Sequence, residues 1–418
     1  MKKAINFIDL FAGCGGLSEG FYEQGYHGLA HVEWESPMVD TLRYRLNQKW
    51  GYSEEDAKKS VIKFDIQKTD ELLKGNWSDD TKLLYSKENS ELIEKAGIDG
   101  LVGDQKVDVI IGGPPCQAYS IAGRAQDPNS MKDDYRNYLF ESFVKVVEHY
   151  KPKLFVFENV PGILSACPGG QPVIERIYKA FDEIGYEIRK PDEMRKSIYS
   201  AADFDVPQDR RRVIIFGVNK QNNIKLEDLY SELTQLKNNE THKTVRDAIF
   251  DMPKILPLEQ SYKDGKKNVS HSVIGKNPYT LNEPRYINKR DISIYKEWIE
   301  KSMNNLPNDE KLEYYYKKIG KHTNHNKYRS LEWDKPSPTI VSHLYKDGHM
   351  FIHPDSDQAR SITIREAAIL QSFPLEYSFI GSNAYCYKMI GNAVPVLFAK
   401  KIAQAVENVI EKDVKEDE

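Results

Sequence analysis

Apolar positions in this chain fall into short runs separated by polar stretches, and the runs are rich in β-branched residues. Ile5–Ala12, Gly28–Val32, Val61–Phe64, Val107–Ile111, Lys153–Phe157 and Val213–Val218 each have strand length, and the first five end at Gly or an acidic residue, which predicts buried strands. Helical spacing predicts an amphipathic helix from Arg136 to about Tyr150 and another closing at about Ile410. The segment between Asp70 and Gly103 is charged, has helical spacing and reads as a surface insertion with no assigned role. Buried strands alternating with helices predict an α/β fold, in which ligands bind beyond the carboxyl ends of the strands. Polar and helix-breaking composition rises after Lys220, and Lys243–Ile249 marks the start of a different domain. The predicted organisation is a large domain over 1–224, a smaller one over 225–375, and a return to the first over 376–418.

The predicted strand ends carry the candidate chemistry. The first runs into Gly13-Cys14-Gly15-Gly16-Leu17, where glycines let backbone N–H groups approach a ligand as a helix begins; simple turn glycines are the alternative. The second ends at Glu33-Trp34, a carboxylate able to accept from ribose hydroxyls beside a ring able to face adenine. The third ends at Asp65-Ile66, where the acid could equally be a helix cap. The fourth runs into Gly112-Gly113-Pro114-Pro115-Cys116-Gln117-Ala118-Tyr119-Ser120, which presents a cysteine on a rigid turn. The fifth ends in Glu158-Asn159-Val160-Pro161, a carboxylate beside that cysteine if the strands are neighbours. Before the sixth stands Asp209-Arg210-Arg211-Arg212; in an extended segment Arg210 and Arg212 face one side and Arg211 the other. A solvated or phosphate-binding surface is the competing account of this triplet.

Composition narrows the class. The 418 residues, 40% hydrophobic and 29% charged, are ordinary for a globular protein, and the net charge of -4 excludes a uniformly basic coat. From Ser261 to Ser330, however, fifteen Lys/Arg face eight Asp/Glu, with Tyr, Asn and His interleaved. A local balance of +7 suits phosphate contacts and base-edge reading, with solvated charge as the competing account. Cys14, Cys116, Cys167 and Cys386 are widely spaced with no Cys-x-x-Cys pair, so neither zinc nor a disulfide framework is indicated. Asp9 interrupts the apolar run after Met1-Lys2-Lys3, and no stretch approaches transmembrane length, which predicts a cytoplasmic protein.

These motifs, in this order, resemble those of the cytosine-C5 DNA methyltransferases. Pro115-Cys116-Gln117-Ala118-Tyr119-Ser120 is similar to that family's nucleophile loop, with Tyr119 where Phe is usual; Phe7–Gly16 is similar to its methyl-donor loop; Gln208-Asp209-Arg210-Arg211-Arg212 to its Gln-x-Arg-x-Arg element, with Asp205 where Gly is usual; and Tyr387–Pro395 to its last motif. Lys335–Ile340 and Arg365–Pro374 resemble the element that organises the recognition domain.

The resemblance implies a Rossmann-like S-adenosylmethionine-dependent domain with a smaller target-recognition domain. It implies Cys116 as nucleophile, Glu158 as general acid, and Arg210 and Arg212 lining the active site. The implied cofactor contacts are Phe11, Gly13, Cys14, Gly15, Gly16, Leu17, Glu33, Trp34, Asp65, Ile66, Pro114, Leu139, Asn392, Ala393 and Val394. Arg124 and Lys132, in the polar loop after the cysteine, would meet phosphates, with solvated loop charges as the alternative. The implied partner is double-stranded DNA, with a restriction endonuclease as functional counterpart and the methyltransferase itself a monomer; no metal is implied. The same chemistry on transfer RNA and a non-catalytic DNA-binding protein are the alternative readings.

Overall fold

The computed structural model describes residues 4–115, 139–238 and 240–416. The chain divides into two compact units: residues 1–204, 211–239 and 393–418 form the first, residues 205–210 and 240–392 the second. The boundaries thus fall later than the composition change suggested, because the helix Leu226–Gln235 buries Leu226, Leu229, Tyr230 and Leu233 and packs on the helix Val396–Glu416 of the first unit.

The first unit is built on one sheet. Its strands in chain order are β1 (Asn6–Leu10), β2 (His27–Glu33), β3 (Val61–Lys63), β4 (Val109–Gly112), β5 (Leu154–Asn159), β6 (Tyr186–Glu187) and β7 (Ile198–Ser200); after β8 (Gln208–Asp209), in the second unit, β9 (Arg211–Asn219) returns to it. The order is β3-β2-β1-β4-β5-β9-β6, with β7 also on β9. The first five are parallel and β9 runs antiparallel to β5. Strand order reverses between β1 and β4, the place where an open α/β sheet forms its binding crevice.

Alternation along the strands sends side chains to two faces. Ile8, Leu10, Ile110, Phe155 and Phe157 enter one core, to which Phe140, Phe143 and Val147 of the helix Leu139–Tyr150 also belong. On the opposite face Phe7 packs against Phe21, Tyr22 and Tyr26. There the helix Gly16–Glu23 lies so close to Val396–Glu416 that a Cβ on Gly20 would meet Lys400 N at 2.4 Å.

The segment read as a surface insertion is part of the core. Its helices Thr69–Lys74, Asp79–Tyr85 and Glu91–Val102 contribute Leu72, Leu73, Ile93, Ile98 and Val102, and Trp77 between them packs on Phe64. Asn89 stands in for a neighbouring strand at the open edge of β3, accepting from Lys63 N and donating to Lys63 O, both at 2.9 Å. An edge covered in this way cannot recruit another strand.

The second unit holds the hairpin of β10 (Ile255–Asp264) and β11 (Lys267–Val273), and β12 (Ser337–Pro338), which pairs with β8. A core of Ile294, Tyr295, Trp298, Met303, Tyr328 and Ile352 supports the helix Lys289–Glu300. The Arg365–Pro374 element organises its surroundings through buried charge. Arg360 donates to both oxygens of Glu366 at 2.7 Å, and Arg365 donates to Thr280 O, Thr280 Oγ1 and Tyr377 O. Burial pushes the Glu366 carboxyl up, but the Arg360 charge outweighs it and holds the group at about 2. Asp205 adopts φ 62°, a left-handed conformation suited to Gly. Asp is among the few other residues that tolerate it, so the turn survives the departure from the family pattern.

Candidate active site

Because β1 to β5 are parallel, their carboxyl ends share one rim of the first unit, and antiparallel β9 brings its amino end, with Arg212, to the same rim. After β1 the backbone turns through left-handed positions at Phe11, Gly13 and Gly15 before the helix begins at Gly16. A Cβ on Gly16 would lie 2.6 Å from Val394 O and 2.9 Å from Ala393 Cβ. The return motif therefore rests directly on the glycine loop, and only glycine fits between them. Cys14, Leu17 and Leu139 are buried nearby in sequence or core, whereas Asn392 ends the helix Asn383–Asn392 in the second unit.

Glu33 ties the loop to β2. Its Oε2 accepts from Gly13 N at 2.8 Å, and its Oε1 accepts from Trp34 N at 2.7 Å and Glu35 N at 2.8 Å. Burial pushes this carboxyl above its ordinary range, while the three N–H bonds favour its ionised form. Trp34 is 53% exposed, a ring face held open at a strand end. Beyond β3, Asp65 Oδ1 accepts from Gln67 N at 3.0 Å, and Ile66 is buried in the core. A glycine loop entering a helix, a half-buried carboxylate and an open indole fit a nucleoside bearing a charged tail.

At the end of β4, a Cβ on Gly112 would meet Leu10 O at 2.2 Å, and one on Gly113 would meet Glu158 Oε2 at 2.7 Å. The Glu158 carboxylate thus lies against the backbone that leads to Cys116. Arg212 Nε stands 2.7 Å from Glu158 Oε1, with both side chains about a tenth exposed. Asn159, given no role from sequence, fixes this corner: its Nδ2 donates to Pro114 O at 3.2 Å and its Oδ1 accepts from Val160 N at 2.9 Å. The signal for it was its place beside Glu158, but its partner is distant in sequence.

The expected alternation of the arginines holds in burial, since Arg210 and Arg212 are buried and Arg211 is exposed. Their partners differ. Arg210, in the second unit, donates to Ile340 O and Gly391 O, each at 2.9 Å, and so ties two of that unit's motifs together. Gln208 does similar work there, accepting from Ile340 N at 3.0 Å and donating to Leu370 O at 3.2 Å. Cys116, Tyr119, Arg124 and Lys132 lie outside the described residues.

The C-5 cytosine-specific DNA methylase family matches residues 5–408. The chain belongs to that family. Similar proteins include the type II methyltransferase M.Bpa9945I of Bacillus paralicheniformis, 35% identical over 96% of this chain and 98% of its own length. The type II methyltransferase M1.HphI of Haemophilus parahaemolyticus is 30% identical over 96% of this chain and 87% of its own. The fold is shared with the S. pombe Dnmt2 methyltransferase, at a TM-score of 0.53 and 16% identity over 98% of this chain and 99% of that one.

As a C-5 cytosine-specific DNA methylase the protein takes its methyl group from S-adenosylmethionine and acts on DNA. The donor set at the first three strand ends fits that cofactor. Among the described residues no group of His, Cys, Asp and Glu could hold a metal ion, and no helix is long and apolar enough to cross a membrane.

Beneath the glycine loop of the methylase lies a buried polar network. Ser18 Oγ donates to Asp9 Oδ2 and lies 3.3 Å from His31 Nδ1, whose Nε2 is 2.8 Å from Tyr22 Oη. Burial pushes the Asp9 carboxyl up to about 8 and the His31 imidazole down to about 3. Both groups are therefore neutral in the fold at pH 7. The two act oppositely on stability. Folded Asp9 holds a proton that the unfolded chain releases above about pH 4, so its contribution falls as pH rises from about 4 to about 8. His31 contributes a rise between about pH 3 and 6.5. Asp9→Asn is expected to gain on wild type steadily from pH 4 to 8 and to run parallel above that range, measured by urea unfolding. A constant difference across this range would mean that Asp9 is ionised in the fold.

Proposed function

We propose that this methylase modifies C5 of a flipped-out cytosine within a specific duplex sequence, with Cys116, Glu158 and Arg212 carrying the chemistry. The 2.7 Å Arg212–Glu158 pair against the backbone of Gly113 is the observation that supports this reading most. Cytosine C5 is a weak nucleophile, so the Cys116 thiolate adds at C6 and makes C5 enamine-like. A neighbouring guanidinium favours that thiolate. Glu158 hydrogen-bonds N3 and the exocyclic amine and supplies a proton at N3 as charge develops. Arg212 holds Glu158 in place and meets the base at O2. Bound S-adenosylmethionine supplies an electrophilic methyl on a sulfonium. Loss of the C5 proton then allows Cys116 to be eliminated, regenerating the thiolate. Because C6 is buried in a stacked duplex, the base must leave the stack first.

Glu33 and Trp34 hold the ribose and adenine of the cofactor, and the glycine loop with Ala393-Val394 holds the rest. Glu33→Ala is expected to raise the Kd for S-adenosylmethionine by about tenfold to a hundredfold, read by isothermal titration calorimetry; an unchanged Kd removes the ribose role. The type II names of the relatives support a place in restriction–modification, where methylation shields the cell's DNA from a cognate endonuclease. A cytoplasmic protein fits that role, and we infer that it acts as a monomer. The deciding test is incubation with methyl-labelled S-adenosylmethionine and duplex DNA containing 5-fluorocytosine. A denaturation-resistant adduct on DNA is expected, and an adduct on RNA alone would overturn the reading.

A further inference from the structure

The second unit contains an exposed loop whose chemistry is that of a base reader. From Gly320 to Leu331 the chain carries Lys321, Lys327 and Arg329, the histidines His322 and His325, and not one Asp or Glu. It follows the helix Asn308–Ile319, which ends at Gly320 in the left-handed conformation that turns the chain away.

The loop is held at three points. Thr323 Oγ1 donates to His325 O at 3.1 Å and Asn326 Oδ1 accepts from Tyr328 N at 3.3 Å, so these two polar side chains shape the backbone. The His322 ring stacks on Tyr316 with centroids 4.1 Å apart and planes at 12°. At its end Tyr328 is sunk in the aromatic core with Tyr295 and Trp298.

What remains are Lys321, Asn324, His325 and Lys327, all exposed. The structure gives their side chains no hydrogen-bond or ion-pair partner among the described residues. In the preceding helix, by contrast, Lys317 pairs with Glu313 and Lys318 with Glu297. Their chemistry matches the edges of bases: Asn pairs bidentately with adenine and Lys with guanine O6 and N7, while an acid-free stretch meets phosphates without repulsion.

The geometry points to this loop as the sequence-reading element of the methylase, with Asn324 and His325 on base edges and Lys321 and Lys327 on bases or flanking phosphates. The inference rests on the sequence-specific methylation proposed above. The exposed tip of the β10–β11 hairpin carries Lys263, Lys266, Lys267 and Asn268 but also Asp264, so it is not free of acids as the loop is.

The test uses full-length protein and a duplex library of random sequence, with S-adenosylmethionine and a sequencing readout of every methylated cytosine. Wild type, Asn324→Ala, His325→Ala and the hairpin double variant Lys266→Ala/Lys267→Ala are compared, after calorimetry has shown unchanged cofactor binding in each. The expected result is one sequence context for wild type and for the hairpin variant. In the loop variants, discrimination at one or two base pairs of that context should fall by about tenfold to a hundredfold. Loop variants that slow uniformly while keeping the wild-type context would overturn the base-reading role, as would relaxation caused by the hairpin variant alone. A wild-type enzyme that methylates cytosine in every context would instead overturn sequence-specific methylation itself.

Discussion

Replacing Cys116 by serine is expected to abolish methyl transfer while leaving S-adenosylmethionine binding within a fewfold of wild type. A serine hydroxyl is scarcely ionised near neutral pH, whereas a free thiol is already a few per cent thiolate and is intrinsically far more nucleophilic. Without addition at C6 there is no enamine at C5, and the transfer loses its only low-barrier route. The expected fall in single-turnover rate is about a thousandfold or more, in keeping with the removal of a covalent nucleophile. Tritium release from 5-tritiated cytosine in duplex DNA measures it directly. Residual turnover at a tenth of the wild-type rate would sink the nucleophile assignment. The cofactor contacts proposed for Glu33 and the glycine loop belong to other strand ends than the one that leads to Cys116, which is why binding should survive.

The second large effect is expected at Glu158. Glutamine preserves the shape beside Gly113 but loses the proton and leaves Arg212 facing a neutral amide at 2.7 Å. General acid catalysis accounts for about a hundredfold to ten-thousandfold in rate, so kcat for Glu158→Gln should fall within that window. Breaking a largely buried ion pair also destabilises, by up to about 3–5 kcal/mol when burial is complete and less here, where each side chain keeps a tenth of its surface. Thermal unfolding separates the two effects. Arg212→Lys should lower the midpoint to a similar extent, since it keeps the charge but not the guanidinium geometry. If Glu158→Gln retained kcat within threefold of wild type while losing stability, Glu158 would be a structural partner of Arg212 and no acid.

Much of the candidate site was legible because its residues sit at the ends of short apolar runs. Strand ends are set by local composition, and an α/β sheet gathers those ends on one rim whatever the loops contain. Glu33, Asp65, Gly113 and Glu158 were reachable in this way. Pairing across the sheet was not, because it depends on register between strands far apart in the chain. That Arg212 meets Glu158 follows from β9 lying antiparallel to β5, with Glu158 opposite Ile214. That Arg210 instead binds Ile340 O and Gly391 O follows from the chain passing between units at residue 210.

The segment between Asp70 and Gly103 shows the same limit. Its charge suggested a surface insertion, yet its short helices still bury Leu72, Ile93 and Ile98. Asn89 could not be singled out at all, since any asparagine can mimic a strand and only the open edge of β3 gives one a reason to. By itself, then, the sequence determined the α/β class, the order of motifs and the residues at each strand end, all products of local pattern. The tertiary structure alone decided that Arg212 and not Arg210 meets Glu158, where the units divide and that the 70–103 segment is buried, because those depend on contacts between segments distant in sequence.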